Sequence, residues 1–252
     1  MKVLVLMSGS SQAFKEAGFG YPKNLAEIAG KPMVQHVMEA LAPLKAEGAT
    51  FICVLRQEEN LRHHTGKVLQ LMDAASLLVE TPEGTAGAAC SALMAADHLA
   101  GEEPLVIVNG DQIIEGVDPA AIVRHFRAEG WDAGVVVFED VHPRWSFVKC
   151  GPDGLVVEAA EKRPISKFAT AGFYYFARSK DFTEAAMRMI LKDAHVHGAF
   201  YICPTLNELI LRRGRVGIHR IPRHHYWSLA SPADVKAYVA RTETRPTPPD
   251  AR

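Results

Sequence analysis

The first feature of the chain that could carry chemistry is an apolar strand that breaks into small polar residues. Residues 3–7 are all apolar, and four small residues follow directly: Ser8, Gly9, Ser10 and Ser11. A strand that ends in glycine and serine leaves backbone N–H groups free at the carboxyl end of a sheet, where open α/β sheets bind ligands. Such N–H groups suit phosphate. Lys23 and Lys31 add two cations nearby, so the sequence predicts a phosphate-binding loop.

The elements that position this loop alternate between strand and helix patterns in the first half of the chain. Strand patterns cover residues 2–7, 50–55, 75–79, 105–108 and 133–138. Helix patterns cover residues 33–44, 60–72, 85–99 and 119–129. The fourth strand ends in Asn109, Gly110 and Asp111, and the third helix opens at a Gly-Thr-Ala-Gly run. The alternation predicts an α/β fold with a mainly parallel, doubly wound sheet and helices on both faces.

The second half of the chain is richer in strand patterns. Residues 147–150 and 155–159 flank a Gly-Pro-Asp-Gly turn and predict a hairpin. The other predicted elements are strands at 170–176 and 216–221 and helices at 180–192, 205–213 and 232–241. We expect one domain over residues 1–241, with a smaller β-rich elaboration in its second half. The polar, proline-containing stretch 242–252 is expected to be a disordered tail.

Composition excludes several classes of protein. The chain has 252 residues, is 48% apolar and carries a net charge of -1. It can therefore bury a full core, and it gives no electrostatic reason to expect nucleic acid as a partner. No apolar run approaches the length that spans a membrane, and the apolar stretch after Lys2 is too short for a signal peptide. We expect a cytoplasmic protein without membrane insertion.

The cysteines and histidines do not predict a metal site. The four cysteines are far apart and form no C-x-x-C pair, so reduced, partly buried thiols are expected. Three histidine pairs occur without a third ligand at suitable spacing, and they are expected to be solvated. These pairs are His63 and His64, His195 and His197, and His224 and His225.

Taken together, the order and spacing of the motifs resemble the sugar-phosphate nucleotidyltransferases, especially small members from bacterial capsule and surface-polysaccharide pathways. The resemblance extends from residue 1 to about residue 240. Besides the opening and Gly30-Lys31-Pro32-Met33, it rests on the segments that begin at Glu83, Asn109, Glu161 and Ala171. It implies a single Rossmann-like domain of the glycosyltransferase-A type. It also implies that an acceptor phosphate attacks the α-phosphorus of an NTP, with Mg²⁺ as cofactor and pyrophosphate as leaving group.

The resemblance assigns roles to individual residues. Asp111 would hold Mg²⁺, and Lys23 and Lys162 would neutralise phosphate charge, so these three are the candidate catalytic residues. The candidate nucleotide-binding residues are Ser8, Gly9, Ser10, Ser11, Glu83, Gly84, Thr85, Ala86, Asn109 and Gly110. The candidate acceptor-binding residues are Glu161, Lys162, Thr170 and Gly172, with Trp145 and Tyr174 packing either on the ligand or in the core. Lys31 either lies at the site entrance or only forms the turn into a helix. The partners would be an NTP and a small phosphorylated metabolite, and relatives often form homodimers.

Several positions depart from the family pattern. Ala13 stands where the family has an arginine that contacts the triphosphate, and Ser11 stands where it has a second glycine. Asn24 replaces the usual proline after Pro-Lys, and Ser228 aligns with a second metal-binding aspartate found in many relatives. Losing a cation that faces the transition state costs several kcal/mol. Lys15, Lys23 or Arg163 are the candidates to replace the arginine.

Three functions are consistent with these residues. The first is an active nucleotidyltransferase, and the second is a glycosyltransferase that uses a finished nucleotide-sugar. The third is a non-catalytic or regulatory relative that binds a nucleotide or nucleotide-sugar. A glycosyltransferase would need an Asp-x-Asp motif, and Asp111-Gln112-Ile113 is not one. Asp111, Lys23 and Lys162 are retained, which favours the first function. The sequence identifies neither the base nor the acceptor.

Overall fold

A computed structural model of the chain describes residues 1–82 and 84–244. The strands, in chain order, are β1 (Lys2–Leu6), β2 (Glu27–Ile28), β3 (Lys31–Pro32), β4 (Thr50–Arg56), β5 (Leu77–Thr81), β6 (Leu105–Asn109), β7 (Gln112–Ile114), β8 (Ala133–Glu139), β9 (Ser146–Cys150), β10 (Val156–Glu161), β11 (Phe168–Phe176), β12 (Val216–Arg220) and β13 (Tyr226–Ser228). The helices are α1 (Gln12–Glu16), α2 (Met33–Ala40), α3 (Ala42–Ala46), α4 (Gln57–His63), α5 (Thr65–Met72), α6 (Ala88–Leu93), α7 (Pro119–Ala128), α8 (Ser179–Leu191), α9 (Leu206–Leu211) and α10 (Pro232–Thr244).

The central sheet has β1 in its middle. Its strands follow the order β10-β9-β11-β6-β1-β4-β5, and β8 and β12 extend it from the other side of β11. The pairs β1–β4, β1–β6, β4–β5 and β8–β12 are parallel. All pairs that involve β11, and the β9–β10 hairpin, are antiparallel. The expected α/β fold with a mainly parallel sheet and a β-rich elaboration in the second half is confirmed.

Helices cover both faces of this sheet. Successive strand residues point to opposite faces, so Val3 and Val5 of β1 pack in one core cluster and Leu4 packs in another. The first cluster includes residues of α2 and α7, such as Val37 and Phe126. The second includes residues of α6, α8 and α9. The carboxyl ends of β1, β4 and β6 are left open for a ligand.

Helix boundaries differ from the sequence predictions where the backbone turns left-handed or meets proline. The predicted helix 33–44 divides into α2 and α3, and the second piece has Pro43 in its first turn. The predicted helix 60–72 divides into α4 and α5 at His64, whose φ is +54°. Helix α6 begins at Ala88 rather than at residue 85 because Gly87 has a φ of +104°. The sequence did not predict α1, and α10 continues to Thr244, so residues 242–244 are helical rather than part of a tail. The predicted tail beyond that point lies outside the described residues.

Candidate active site

The serine-rich loop after β1 is fixed by two residues of the segment that follows α1. The backbone N–H of Lys23 donates to the Ser11 hydroxyl at 2.9 Å, and the Asn24 amide donates to the carbonyl of Met7 at 2.8 Å. Both Ser11 and Asn24 are buried. The two residues that depart from the family pattern here therefore hold the loop to the end of β1.

An ion pair between Lys23 and Asp111 lies at the centre of the site. The Lys23 ammonium donates to Oδ2 of Asp111 at 2.7 Å, and the lysine side chain is only 8% exposed. Gly9 leaves room for it, since a Cβ at this glycine would come within 2.8 Å of Lys23 Nζ. Glycine in the loop thus lets a buried cation reach the carboxylate at the end of β6. The pair joins two segments that the sequence analysis singled out separately.

A cavity of about 280 Å³ opens between the serine-rich loop and the start of α6. We call it the nucleotide-side cavity. It is lined by Leu6, Ser8, Gly9, Ser10, Lys23, Arg56, Thr85, Gly87, Ala88, Ser91, Asn109 and Asp111. Seven of the candidate catalytic and nucleotide-binding residues lie on this wall: Ser8, Gly9, Ser10, Lys23, Thr85, Asn109 and Asp111. Their motifs are far apart in sequence, and the sheet brings them together.

Four other candidates have different surroundings. Ser11 is buried behind the loop, and Gly84 and Ala86 are exposed without lining the cavity. A Cβ at Gly110 would come within 2.5 Å of Met7 Cγ, so this glycine permits close packing of β6 against β1. Glu83 lies outside the described residues.

A second cavity, of about 340 Å³, lies against β9, β10 and β11. We call it the acceptor-side cavity. It is lined by Ala88, Asn109, Asp111, Arg144, Trp145, Ser146, Glu161, Lys162, Thr170, Gly172, Tyr174, Tyr201, Ile202, Cys203, Tyr226, Ser228 and Ala230. All four candidate acceptor-binding residues line it, and so do Trp145 and Tyr174. Ala88, Asn109 and Asp111 belong to both cavities, which therefore meet beside the Lys23–Asp111 pair.

Glu161 supplies a buried carboxyl group to the acceptor-side cavity. Its side chain accepts a hydrogen bond from the Ser146 hydroxyl. Burial raises the pKa of Glu161 above its ordinary value, while the Ser146 hydrogen bond and the charge of Lys162 oppose this shift. A carboxyl group in this position can accept hydrogen bonds from the hydroxyls of a ligand.

Two cations line the same cavity. The Lys162 ammonium donates to the Tyr201 hydroxyl at 3.0 Å, and this hydrogen bond is the main reason that the pKa of Lys162 is raised. The Arg144 guanidinium lies 3.9 Å from the centre of the Trp145 ring and 3.2 Å from Asp234 Oδ1. Both side chains are suited to a phosphate group. No sequence motif marks Arg144, although it directly precedes Trp145.

Gly172 shapes the wall where β11 changes register. The pairing of β11 with β8 shifts between Thr170 and Tyr174, and Gly172 has a φ of +59°. A Cβ there would come within 2.2 Å of Gln112 Oε1 and 2.4 Å of Asn109 Nδ2. Only glycine fits this conformation without displacing these side chains. The carbonyl of Gly172 accepts a hydrogen bond from the Gln112 amide at 3.0 Å, which ties β11 to the segment after Asp111.

The protein offers a divalent metal few ligands of its own. No group of three or more His, Cys, Asp or Glu side chains suited to a metal occurs in the part of the chain that the structure describes. Ser228 lines the acceptor-side cavity, and the Asp234 carboxylate behind it accepts hydrogen bonds from Ser228 and Ser231 and pairs with Arg144. Mg²⁺ usually binds one or two carboxylates together with substrate phosphates and water. Among the described residues, Asp111 is the carboxylate at the junction of the two cavities and could serve as such a ligand.

The candidate replacements for the missing arginine differ in position. Ala13 and Lys15 are exposed on α1, and the exposed Arg163 pairs with Glu158 at 2.7 Å. Neither Lys15 nor Arg163 lines a cavity described above, whereas Lys23 lines the nucleotide-side cavity. Lys31 forms an exposed ion pair with Glu39 at 2.9 Å on the turn into α2.

The histidine pairs and cysteines stand apart from the nucleotide-side cavity. His64, His195, His197 and His224 are exposed, and His63 and His225 are half-buried. All four cysteines are free thiols, with Cys53 and Cys203 buried. Cys203 is the cysteine that lines the acceptor-side cavity, and burial raises its pKa.

Fold and site together define an α/β protein with a mainly parallel central sheet and two joined cavities that meet at Asp111. The family model described as "Nucleotidyl transferase" matches residues 2–227. The chain therefore belongs to the nucleotidyl transferase family, and the resemblance stated from the sequence is confirmed.

Individual relatives agree with this assignment. The UTP–glucose-1-phosphate uridylyltransferase AglF of Haloferax volcanii is 24% identical over 181 residues, which are 70% of this chain and 72% of the relative. The bifunctional protein GlmU of Sinorhizobium fredii is 25% identical over 94% of this chain, which spans about half (51%) of that longer protein. A nucleoside-diphosphate-sugar pyrophosphorylase from Vibrio cholerae has the same fold, with a TM-score of 0.82 and 24% identity. That comparison covers 94% of this chain and 99% of the other. In the described part of the chain, none of the helices is long and apolar enough to cross a membrane.

Proposed function

We propose that the protein joins an NTP to a sugar phosphate or another small phosphorylated metabolite and releases pyrophosphate. An oxygen of the acceptor phosphate attacks the α-phosphorus of the NTP. The new oxygen–phosphorus bond replaces the bond from the α-phosphorus to the bridging oxygen, which leaves with the pyrophosphate. The products are a nucleoside-diphosphate-linked metabolite and pyrophosphate.

The observation that carries this proposal is the junction of the two cavities at Asp111. One cavity is walled by a small-residue loop suited to a nucleotide, and the other by cations and hydroxyls suited to a phosphorylated acceptor. Two ligands that fill them meet beside the Lys23–Asp111 pair. Such a transfer requires no covalent enzyme intermediate, so catalysis consists mostly of positioning the two reactants and neutralising phosphate charge.

The residues of the chain then have separate tasks. The Lys23 ammonium neutralises phosphate charge at the junction, and Lys162 and Arg144 hold the acceptor phosphate. Asp111 would hold Mg²⁺, which would supply further neutralisation of the triphosphate charge. Glu161 and Thr170 bind the acceptor's hydroxyls, and the buried Thr170 hydroxyl lies 3.0 Å from the Tyr174 hydroxyl.

We further propose a cytoplasmic enzyme that supplies precursors for polysaccharide or surface-glycan synthesis and acts as a homodimer. The resemblance supports the role, and no feature of the sequence requires a membrane.

The direct test is pyrophosphate release from each of the four NTPs with a panel of sugar 1-phosphates and smaller phosphorylated metabolites, with and without Mg²⁺. We expect release with one NTP–acceptor pair, and only with Mg²⁺. Binding of an NTP or a nucleotide-sugar without release would instead support the non-catalytic relative. Release of a free nucleoside diphosphate from a nucleotide-sugar would support glycosyl transfer.

Restoring the missing arginine tests whether the serine-rich loop has the shape that is usual in the family. Ala13 is exposed on α1, so Ala13→Arg introduces a cation without a clash. If the loop has the usual shape, we expect NTP affinity or turnover to rise about tenfold, the effect of one charge-assisted hydrogen bond. Ala17→Arg, at the exposed end of the same helix, is the matched control. No change or a loss would mean that another cation occupies the role.

Replacing Glu161 should weaken acceptor binding and change how the stability of the protein depends on pH. For Glu161→Gln we expect the KM for the acceptor to rise about tenfold or more, because hydrogen bonds to a charged group are lost. A raised pKa means that the folded state holds the Glu161 proton more tightly than the unfolded state does. The wild-type protein therefore loses stability as the pH rises from the ordinary carboxyl pKa through the raised one.

Glutamine does not titrate, so the stability of the variant relative to wild type should increase over that pH interval and then level off. Thermal unfolding from pH 4 to pH 8 measures this, with Glu27→Gln, at an exposed glutamate, as a contrast. A stability difference that stays constant with pH would contradict the assignment.

A further inference from the structure

Arg56 is a cation in the nucleotide-side cavity that no sequence motif marks. It is the last residue of β4, and it is half-buried. Its Nε donates to the carbonyl of Ser8 at 3.0 Å, which fixes the guanidinium beside the serine-rich loop. The strand order allows this contact, because β4 pairs with β1 and the loop continues directly from β1. The guanidinium therefore belongs to the same wall as the backbone N–H groups that suit phosphate.

The charges that line this cavity do not balance among the described residues. Three charged side chains of this part of the chain line it: Lys23, Arg56 and Asp111. Lys23 and Asp111 pair with each other at 2.7 Å, so their charges offset one another. Within residues 1–82 and 84–244, no carboxylate forms an ion pair with Arg56. These residues therefore give the cavity a net positive charge, and this charge lies at Arg56.

A phosphate satisfies the surroundings of Arg56 better than a base does. A nucleobase is neutral, so it can accept hydrogen bonds from a guanidinium but cannot offset its charge. A phosphate does both, because its oxygens match the planar fork of N–H donors. Nε is the Arg56 nitrogen that donates to a described residue, so the terminal nitrogens remain for phosphate oxygens.

The strand order also indicates which phosphate Arg56 meets. Asp111 follows β6 and Arg56 ends β4, with β1 between them, so about 10 Å separates the two strand ends. In the proposed reaction the α-phosphorus lies at Asp111, where the two cavities meet, because the acceptor must reach it there. Of the parts of an NTP that lie away from this junction, only the β- and γ-phosphates are anionic.

We propose that Arg56 binds the β- and γ-phosphates of the NTP and holds the pyrophosphate as it leaves. This rests on the proposed nucleotidyl transfer and adds a residue to its nucleotide site. When the bond from the α-phosphorus to the bridging oxygen breaks, its electron pair stays on that oxygen. The new negative charge therefore belongs to the pyrophosphate, and the Arg56 guanidinium offsets it while Lys23 acts at the junction.

The test compares ligands that contain a pyrophosphate group with ligands that lack one. Calorimetry with Mg²⁺ measures the affinity of the purified protein for inorganic pyrophosphate, the four NTPs and the four nucleoside monophosphates. Arg56→Gln should weaken pyrophosphate and the tightest-binding NTP by about 10- to 100-fold, because hydrogen bonds to a charged group are lost, and should leave the monophosphates unchanged. Arg56→Lys keeps the charge without the fork and should lose less. Arg62→Gln removes an exposed arginine from the neighbouring helix α4 and should change none of these affinities.

Thermal unfolding of each variant verifies the fold, and Arg56→Lys gives the same comparison if Arg56→Gln does not fold. A monophosphate that weakens as much as its triphosphate would overturn the proposal, because Arg56 would then contact the nucleoside or only shape the loop. Pyrophosphate binding that is absent in the wild type, or unchanged in Arg56→Gln, would overturn it too, while pyrophosphate release by the wild type would still support nucleotidyl transfer. A wild type that binds pyrophosphate through Arg56 but releases none from any NTP–acceptor pair would overturn the proposed function and leave Arg56 as a pyrophosphate ligand.

Discussion

Asp111→Asn is expected to lower turnover by about 10²–10³-fold, the cost of removing one charged group that faces a transition state. The amide keeps the shape of the side chain but loses the charge that pairs with Lys23 and that, in the proposed mechanism, would hold Mg²⁺. The variant should also lose the dependence of its residual activity on Mg²⁺. Steady-state pyrophosphate release over a Mg²⁺ titration measures both effects.

The same substitution leaves the Lys23 ammonium facing a neutral partner. That change should lower the free energy of unfolding by about 1–3 kcal/mol, because the lysine side chain is nearly fully buried. Circular dichroism should show an intact fold, and Asp97→Asn, at an exposed aspartate, controls for loss of one negative charge. Unchanged turnover in a folded Asp111→Asn protein would remove this residue from the mechanism.

Lys23→Gln should lower kcat/KM by about 10²-fold or more, because the cation at the junction of the cavities disappears while a hydrogen-bonding group remains. Lys15→Gln, on the exposed face of α1, removes the same charge from the same region and should have little effect. The measurement is kcat/KM for the NTP at saturating acceptor.

The double variant Lys23→Gln/Asp111→Asn should be little worse than the more damaged single variant, because the two residues act as one unit. Additive losses in that cycle would show that the lysine and the aspartate act independently. The Lys23–Asp111 ion pair would then exist only in the protein without substrate and would not act in the reaction.

The strands were predictable because their cause is local. The runs that became β1, β4 and β6 are short, apolar and bounded by polar residues, and they lie in the middle of the sheet. Helix ends were less predictable. The start of α6 depends on the left-handed backbone of Gly87, where a Cβ would meet the carbonyl of Phe200 at 2.5 Å. A contact with such a distant residue is invisible in the local pattern.

The site residues also divide into those that local motifs predict and those that depend on tertiary contacts. The acceptor-side residues were found from family motifs, and they do line one cavity. Gly9 and Gly110 look alike in the sequence, yet Gly9 makes room for the Lys23 ammonium and Gly110 makes room for β1. Arg56 carries no motif, and its place in the nucleotide-side cavity depends on the adjacency of β4 and β1. The burial of Glu161, which sets its pKa, likewise arises only from tertiary packing.

The wall shared by the two cavities has a consequence for product binding and release. Under the proposed function, the product of nucleotidyl transfer would occupy both cavities at once, whereas each substrate would occupy only one. Its two halves bind with the advantage of a linked ligand, because the second half is held at high effective concentration once the first is seated. Product inhibition should therefore be competitive against the NTP and the acceptor alike. The rate in a cell would then depend on how quickly the next enzyme removes the product.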